Sequence, residues 1–187
     1  AQRGFETHLV EFAEHVLPPL EVEMATLVTH ELRGLGVCVH AGVAAQSIVH
    51  GDDHDSVTLS DGIVLTADVI VLSTGVRPDT AFAEAAGIET SRGYILVDDR
   101  GRTSVDDVYA VGDAAVGRDH DRPVALAGPA NRGGRLVADA IADAEHGEAA
   151  ARPIPNPQGT AIVRIGSLTA AMTGANRQAL DASGAEY

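Results

Sequence analysis

Thr103-Ser-Val-Asp-Asp-Val-Tyr-Ala-Val-Gly-Asp-Ala114 is the stretch on which the reading of this chain turns. It gives a polar turn, then a short apolar strand expected over Val108 to Val111, then Gly112-Asp113 at that strand's carboxyl end. Ligands of open α/β sheets sit just outside the carboxyl ends of strands. A glycine there lets a ligand approach the backbone, and an aspartate beside it offers an anionic acceptor for hydroxyl groups. An apolar strand followed by Gly-Asp is common by itself, so its meaning depends on what stands on either side.

Downstream, Leu126-Ala-Gly-Pro-Ala-Asn-Arg-Gly-Gly-Arg-Leu-Val-Ala-Asp139 opens a long helix expected to run to about Glu145. Pro129 suits its first turn, where a missing N–H costs nothing. Upstream, Ala67 to Ser73 (ADVIVLS) is a near-continuous apolar run, expected as a central parallel strand. It ends in Thr74-Gly75-Val76-Arg77-Pro78-Asp79, again a glycine at a strand end before a proline turn.

Together these stretches resemble the FAD-dependent pyridine nucleotide-disulfide oxidoreductases. The Leu-Ala-Gly-Pro-Ala-Asn-Arg pattern is most similar to their coenzyme A-disulfide reductase and NADH oxidase branch. The resemblance implies that Asp113, beside Gly112, accepts hydrogen bonds from the ribityl chain of FAD. It implies that the helix after Leu126 points its N-terminus at the flavin pyrimidine, with Ala130 and Asn131 as contacts. It places Gly75 near the nicotinamide nucleotide, where the chain crosses from an NADH domain into an FAD domain. An ordinary αβ turn at Gly75 and an ordinary proline-started helix are the plainer alternatives.

Earlier in the chain, Thr7 to Glu11 (THLVE) reads as a short buried strand ending in an acid. At the end of the second strand of a dinucleotide-binding βαβ unit, an acid takes ribose hydroxyls and repels a 2′-phosphate. The resemblance therefore makes Glu11 the residue favouring NADH over NADPH; a solvated strand-end glutamate is the alternative. Residues 1–4 read as the end of a helix closed by Gly4. A helix follows from Glu21 to Leu32, stopped by Gly34 and Gly36, and then a strand from Val37 to His40. Ala44 to His50, Ser56 to Ser60 and Ile63 to Thr66 read as a β-meander. The run His50-Gly-Asp-Asp-His-Asp55 matches no standard metal spacing and is expected as a polar hairpin tip. Cys38, the only cysteine, lies in an alternating apolar context and is expected to be a small buried hydrophobe.

Ala81 to Ala86 is expected as a short helix closed by Gly87, and Tyr94 to Val97 as a strand. Arg118-Asp-His-Asp-Arg122 reads as a charged loop, and Glu148 to Gln158, with three prolines, as a linker. Gly159 to Ile165 reads as a strand, and Asn176 to Ala182 as a helix with Asn176 as its N-cap. The segment Gly159 to Gly174 resembles the start of the family's dimerisation domain.

The expected fold is α/β: partial Rossmann-type NAD(P)- and FAD-binding units with a β-meander, followed by the start of an α+β dimerisation domain. The expected divisions are 1–75, 76–150 and 151–187. The 187 residues carry a net charge of −14, which disfavours nucleic acid and anionic membranes as partners. No lysine occurs; all 13 basic residues are arginine. No apolar run is long enough to span a bilayer and no signal peptide is visible, so a cytoplasmic protein is expected.

No Gly-x-Gly-x-x-Gly occurs in the chain. The family places such loops on both dinucleotide pyrophosphates, so the chain reads as a fragment lacking an N-terminal FAD half, the NAD loop and most of the dimerisation domain. The resemblance implies a homodimeric flavoenzyme passing hydride from NADH to FAD and on to a small-molecule disulfide, oxygen or peroxide, through a cysteine outside this chain. No catalytic residue and no metal ligand is assigned within it. A ferredoxin or rubredoxin reductase, which needs no such cysteine, and a structural or interaction domain binding no nucleotide are the competing readings.

Overall fold

The computed structural model describes residues 1–120, 123–147 and 152–186. The end of the charged loop at 121–122, the alanine run of the linker and the expected boundary at 150 lie outside the described residues. The chain is an α/β protein that divides into two compact units, Ala1–Ser73 with Thr160–Tyr187, and Thr74–Gly159.

The first unit begins with β1 (Thr7–Glu11), α1 (Val22–Gly34) and β2 (Val37–Ala41), a strand–helix–strand crossover with the two strands parallel. Residues 1–4 form a turn closed by the Gly4 N–H on the Ala1 carbonyl at 2.8 Å. Ala25 and Val28 form the buried stripe of α1 and pack with Val16, Leu20, Leu9 and Val39. Leu9 and Val39 alternate with His8 and Cys38 along the strands, so the latter fall on the other sheet face. Cys38 is accordingly exposed, not buried as its apolar context suggests. Alternation places a side chain on a face; only packing decides whether that face is covered.

The meander forms as expected from β3 (Ala45–Val49), β4 (Asp55–Leu59) and β5 (Val64–Ala67), all antiparallel. Its polar tip is held by His50 and Asp55 at 2.6 Å. Among the described residues no cluster of His, Cys, Asp or Glu could hold a metal ion.

The apolar run after β5 departs from expectation. Residues 68–73 form no strand, and Val69, Val71 and Leu72 are 79%, 82% and 70% exposed. A strand exists through hydrogen bonds to a neighbour, and this run pairs with no described strand.

The second unit contains α2 (Ala81–Ala85), β6 (Thr90–Ser91), β7 (Tyr94–Val97), β8 (Ala115–Gly117) and α3 (Ala127–His146). β7 runs antiparallel to β6 and parallel to β8, with Ile95 opposite Ala115. Ala83, Ile95, Val97 and Ala115 form its small core. Thr80, the buried polar residue there, donates its hydroxyl to the Gly93 carbonyl at 2.9 Å. α3 buries Gly133, Leu136, Val137 and Ala140, one stripe at helical spacing, and ends on Gly147 in the left-handed conformation.

The chain returns to the first unit with β9 (Ala161–Ile165), β10 (Leu168–Met172) and α4 (Arg177–Ser183). Asn176 caps α4 as expected, its Oδ1 accepting from Ala179 N at 2.8 Å. Two glutamates, Glu21 at the N-cap of α1 and Glu31 on the helix, hold this segment. Glu21 Oε1 accepts from Arg177 N at 2.5 Å, and Glu31 Oε1 accepts from both the Ser167 N–H and its hydroxyl at 2.8 and 2.9 Å. The Ser167 backbone N–H, helped by the hydroxyl, holds the Glu31 carboxyl below the usual glutamate range. A lowered folded-state pKa stabilises the fold above the unfolded value and ceases to do so as pH falls through the folded one. Glu31→Gln is therefore expected to lower Tm at about pH 6, with the difference from wild type closing below about pH 4. A Tm difference constant from neutral to acid pH would refute this.

Candidate functional site

The described geometry around Gly112 is built by a turn docked on a helix. The Asp98 carboxylate accepts from the N–H groups of Arg100 and Arg102, both at 2.8 Å, closing the turn. Beyond it, Ala110 N donates to the Gly101 carbonyl and Thr103 N to the Val108 carbonyl, both at 2.9 Å. Residues 108–111 are therefore no strand of the parallel sheet, contrary to the sequence expectation. They make one antiparallel bridge, Tyr109 to Arg102. Gly112-Asp113 lies in a 3-10 turn (Gly112–Ala114) between that bridge and β8. The physical reason is again lateral pairing: the described partner of 108–110 is the turn before it, not a sheet strand.

Two glycines let this segment sit on α3. A Cβ at Gly101 would stand 2.5 Å from Val137 Cγ2 and 3.2 Å from the Ala110 carbonyl oxygen. A Cβ at Gly133 would stand 2.7 Å from Val111 Cγ2. Gly133 and Val137 are one helical turn apart, so the loop meets the helix along one face. Sequence reasoning singled out neither glycine. The available signal was Gly133-Gly134 inside a helical pattern, which costs about 1 kcal/mol per glycine relative to alanine unless close packing requires it.

Gly112 has φ +83°, and a Cβ built on it would lie 3.6 Å from Ala130 Cβ. The Gly-Asp turn and the first turn of α3 are thus neighbours. Gly112, Ala115, Pro129, Ala130 and Gly133 line a cavity of about 340 Å³, closed on another side by residues 154–158. The Asp113 side chain is exposed and accepts no hydrogen bond from the described residues. No side chain caps α3, whose N-cap position is Leu126. The Ala127 and Gly128 N–H groups are among the four that an α-helix leaves without intrahelical partners. Small residues, a free carboxylate and an uncapped helix start suit part of a flavin. A cavity of this size does not enclose a whole dinucleotide, and the chain has no Gly-x-Gly-x-x-Gly to hold a pyrophosphate.

The other expected residues stand elsewhere. Asn131 does not line that cavity; it lines a second one on α3 and accepts from Arg135 Nη2 at 2.5 Å. Glu11 ends β1, and its Oε1 accepts from Ala13 N at 2.8 Å, leaving the second oxygen for a ligand. Gly75 has φ +93°, with nothing within 4 Å of a Cβ built there. It belongs to the second unit and Glu11 to the first.

Residues 1–144 match the family model described as pyridine nucleotide-disulphide oxidoreductase. The rubredoxin-NAD(+) reductase of Alcanivorax borkumensis is 40% identical over 141 residues, 74% of this chain and 36% of that protein. Among solved structures, the reduced CoADR-RHD of Bacillus anthracis is 32% identical with a TM-score of 0.87, over 98% of this chain and 33% of that one. The NAD-dependent persulfide reductase of A. fulgidus is 31% identical with a TM-score of 0.86, over 96% and 33%. The chain spans about a third of the length of each of these relatives.

Proposed function

Because the chain belongs to the pyridine nucleotide-disulphide oxidoreductase family, we propose that it is part of an FAD-dependent oxidoreductase taking hydride from NADH and passing it to a disulfide such as coenzyme A disulfide, to oxygen or to peroxide. The observation that carries the reading is the Gly112-Asp113 turn lying against Ala130 in the first turn of α3. FAD, when bound, supplies the two-electron acceptor. Asp113 accepts hydrogen bonds from its ribityl hydroxyls. The α3 N-terminus presents N–H groups and the positive end of a helix dipole to the pyrimidine edge, where reduction leaves negative charge. Ala130 and Asn131 are the contacts proposed there. Glu11 takes the adenosine ribose hydroxyls of NADH and repels a 2′-phosphate. Gly75, at a positive φ, lets the backbone pass close to the nicotinamide nucleotide.

On this reading residues 1–75 belong to the NAD(P)H domain, 76–150 to the FAD domain and 151–187 to the dimerisation domain of a cytoplasmic homodimer. Among the described residues no helix is long and apolar enough to cross a membrane. The rubredoxin-NAD(+) reductase relative supports a second reading, in which a small electron-transfer protein is the acceptor.

Flavin binding tests the site. The purified chain is expected to carry little or no FAD, because it lacks the pyrophosphate loops. Added FAD is expected to show weak, saturable fluorescence quenching. Asp113→Ala is expected to weaken it by about tenfold or more, the scale of a lost hydrogen bond to a charged group. Equal quenching by both proteins would remove Asp113 from the site, and stoichiometric FAD on the purified chain would overturn the role given to the missing loops.

A further inference from the structure

The second cavity on α3 has a chemistry of its own. It measures about 610 Å³ and is lined by Arg132, Arg135 and Arg152 with Asn131, Leu136 and Asp139, as well as Pro153. Arg132 and Arg135 are one turn apart on α3, and Arg152 arrives from beyond the helix. Asp139 is the one carboxylate among the described lining residues. None of the three guanidiniums pairs with a carboxylate of the described residues; Arg135 is instead held by the Asn131 side-chain oxygen. Three guanidiniums without a carboxylate partner among the described residues thus share one cleft in a chain of net charge −14. Arginine itself is uninformative here, since the chain uses no lysine. The gathering is what needs an explanation, because three cations beside a single carboxylate leave an excess of like charge that repels itself.

Screening limits the remote negative charge to about 8 Å at physiological ionic strength, so the cleft acts on a ligand through its own lining. A carboxylate is satisfied by one guanidinium fork. Three guanidiniums suit a group with more oxygens and more charge; a phosphate monoester carries about −1.5 to −2. The volume lies within the roughly 300–1,000 Å³ of small-molecule sites, and Leu136 and Pro153 add apolar surface for an organic part. We propose that this cleft binds a phosphate-bearing small molecule, the phosphate on Arg132, Arg135 and Arg152 and its carrier against Leu136 and Pro153. This rests on the three arginines and not on the flavin reading, whose proposed contact Asn131 also borders this cleft.

Phenyl phosphate is the probe, with phenol as its phosphate-free counterpart, followed by calorimetry and amide chemical shifts of the chain. Saturable binding of phenyl phosphate, with shifts confined to residues 131–139 and 152–154 and none from phenol, is expected. Arg132→Gln with Arg135→Gln is expected to weaken it by about tenfold or more. The charge-matched pair Arg33→Gln with Arg164→Gln is expected to bind as wild type. Arg152→Gln, outside any helix, carries the same test should the double variant fail to fold. Equal weakening by both double variants would mean general charge attraction and overturn the proposal. So would shifts scattered over the surface, or equal binding of phenol.

Discussion

Gly101→Ala is expected to destabilise the second unit by about 2–5 kcal/mol, from left-handed backbone strain of about 1–2 kcal/mol and overpacking of about 1–3 kcal/mol. Gly101 has φ +77°, a region that L-residues adopt at a cost. The added methyl would meet Val137 Cγ2 and the Ala110 carbonyl oxygen. Neither gives way cheaply. Val137 is buried on α3 with a β-branched side chain whose rotamer the helix restricts, and the Ala110 carbonyl belongs to a backbone whose N–H already bonds Gly101. The substitution therefore pushes the 98–114 segment off the helix, moving Gly112 away from Ala130. Hydrogen exchange is the discriminating measurement: amides of α3 and residue 110 should lose protection first. Unchanged protection there, or a stability loss below about 1 kcal/mol, would show that the loop does not need this close approach.

Leu59→Ala is the second large effect, about 2–5 kcal/mol, the range for truncating a fully buried leucine. Leu59 is 0% exposed, and its N–H bonds the Ile63 carbonyl at 2.8 Å across the turn from β4 to β5. The hydrogen bond survives the change, so the loss isolates packing. Urea denaturation should show a lower midpoint, and Leu59→Met, nearly equal in volume, should recover most of the difference. A Met variant no better than the alanine one would point to shape rather than buried volume. Gly133→Ala offers an internal contrast with Gly101: helix propensity favours alanine by about 1 kcal/mol, and the neighbour it meets, Val111, is 39% exposed and freer to turn aside.

Much of the fold was legible because its signals are local. Thr7 to Glu11, the helix stopped near Gly36, the meander with its polar tip, the proline-started helix closed by Gly147 and the Asn176 cap all arise where periodicity, turn residues and caps agree. The neighbouring placement of Gly112 and Ala130 was also anticipated, from two motifs read together. The two strand failures share one cause. Ala67 to Ser73 and Val108 to Val111 have strand composition, but composition cannot supply the adjacent strand whose N–H and C=O groups they need. One run is left unpaired and exposed, and the other folds back on its own turn.

The sequence by itself determined where helices and most strands lie, and that a glycine and an aspartate stand ahead of a proline-led helix. Tertiary structure alone decided how that aspartate is presented: on a 3-10 turn, docked through Gly101 and Gly133, with Asn131 turned to Arg135 in a separate cleft. Periodicity and capping are set by residues within a turn or two of one another. Close approach, lateral pairing and the sharing of a cavity depend on residues some twenty to fifty positions apart, such as Gly101 with Val137 and Arg132 with Arg152, which only the folded chain brings together.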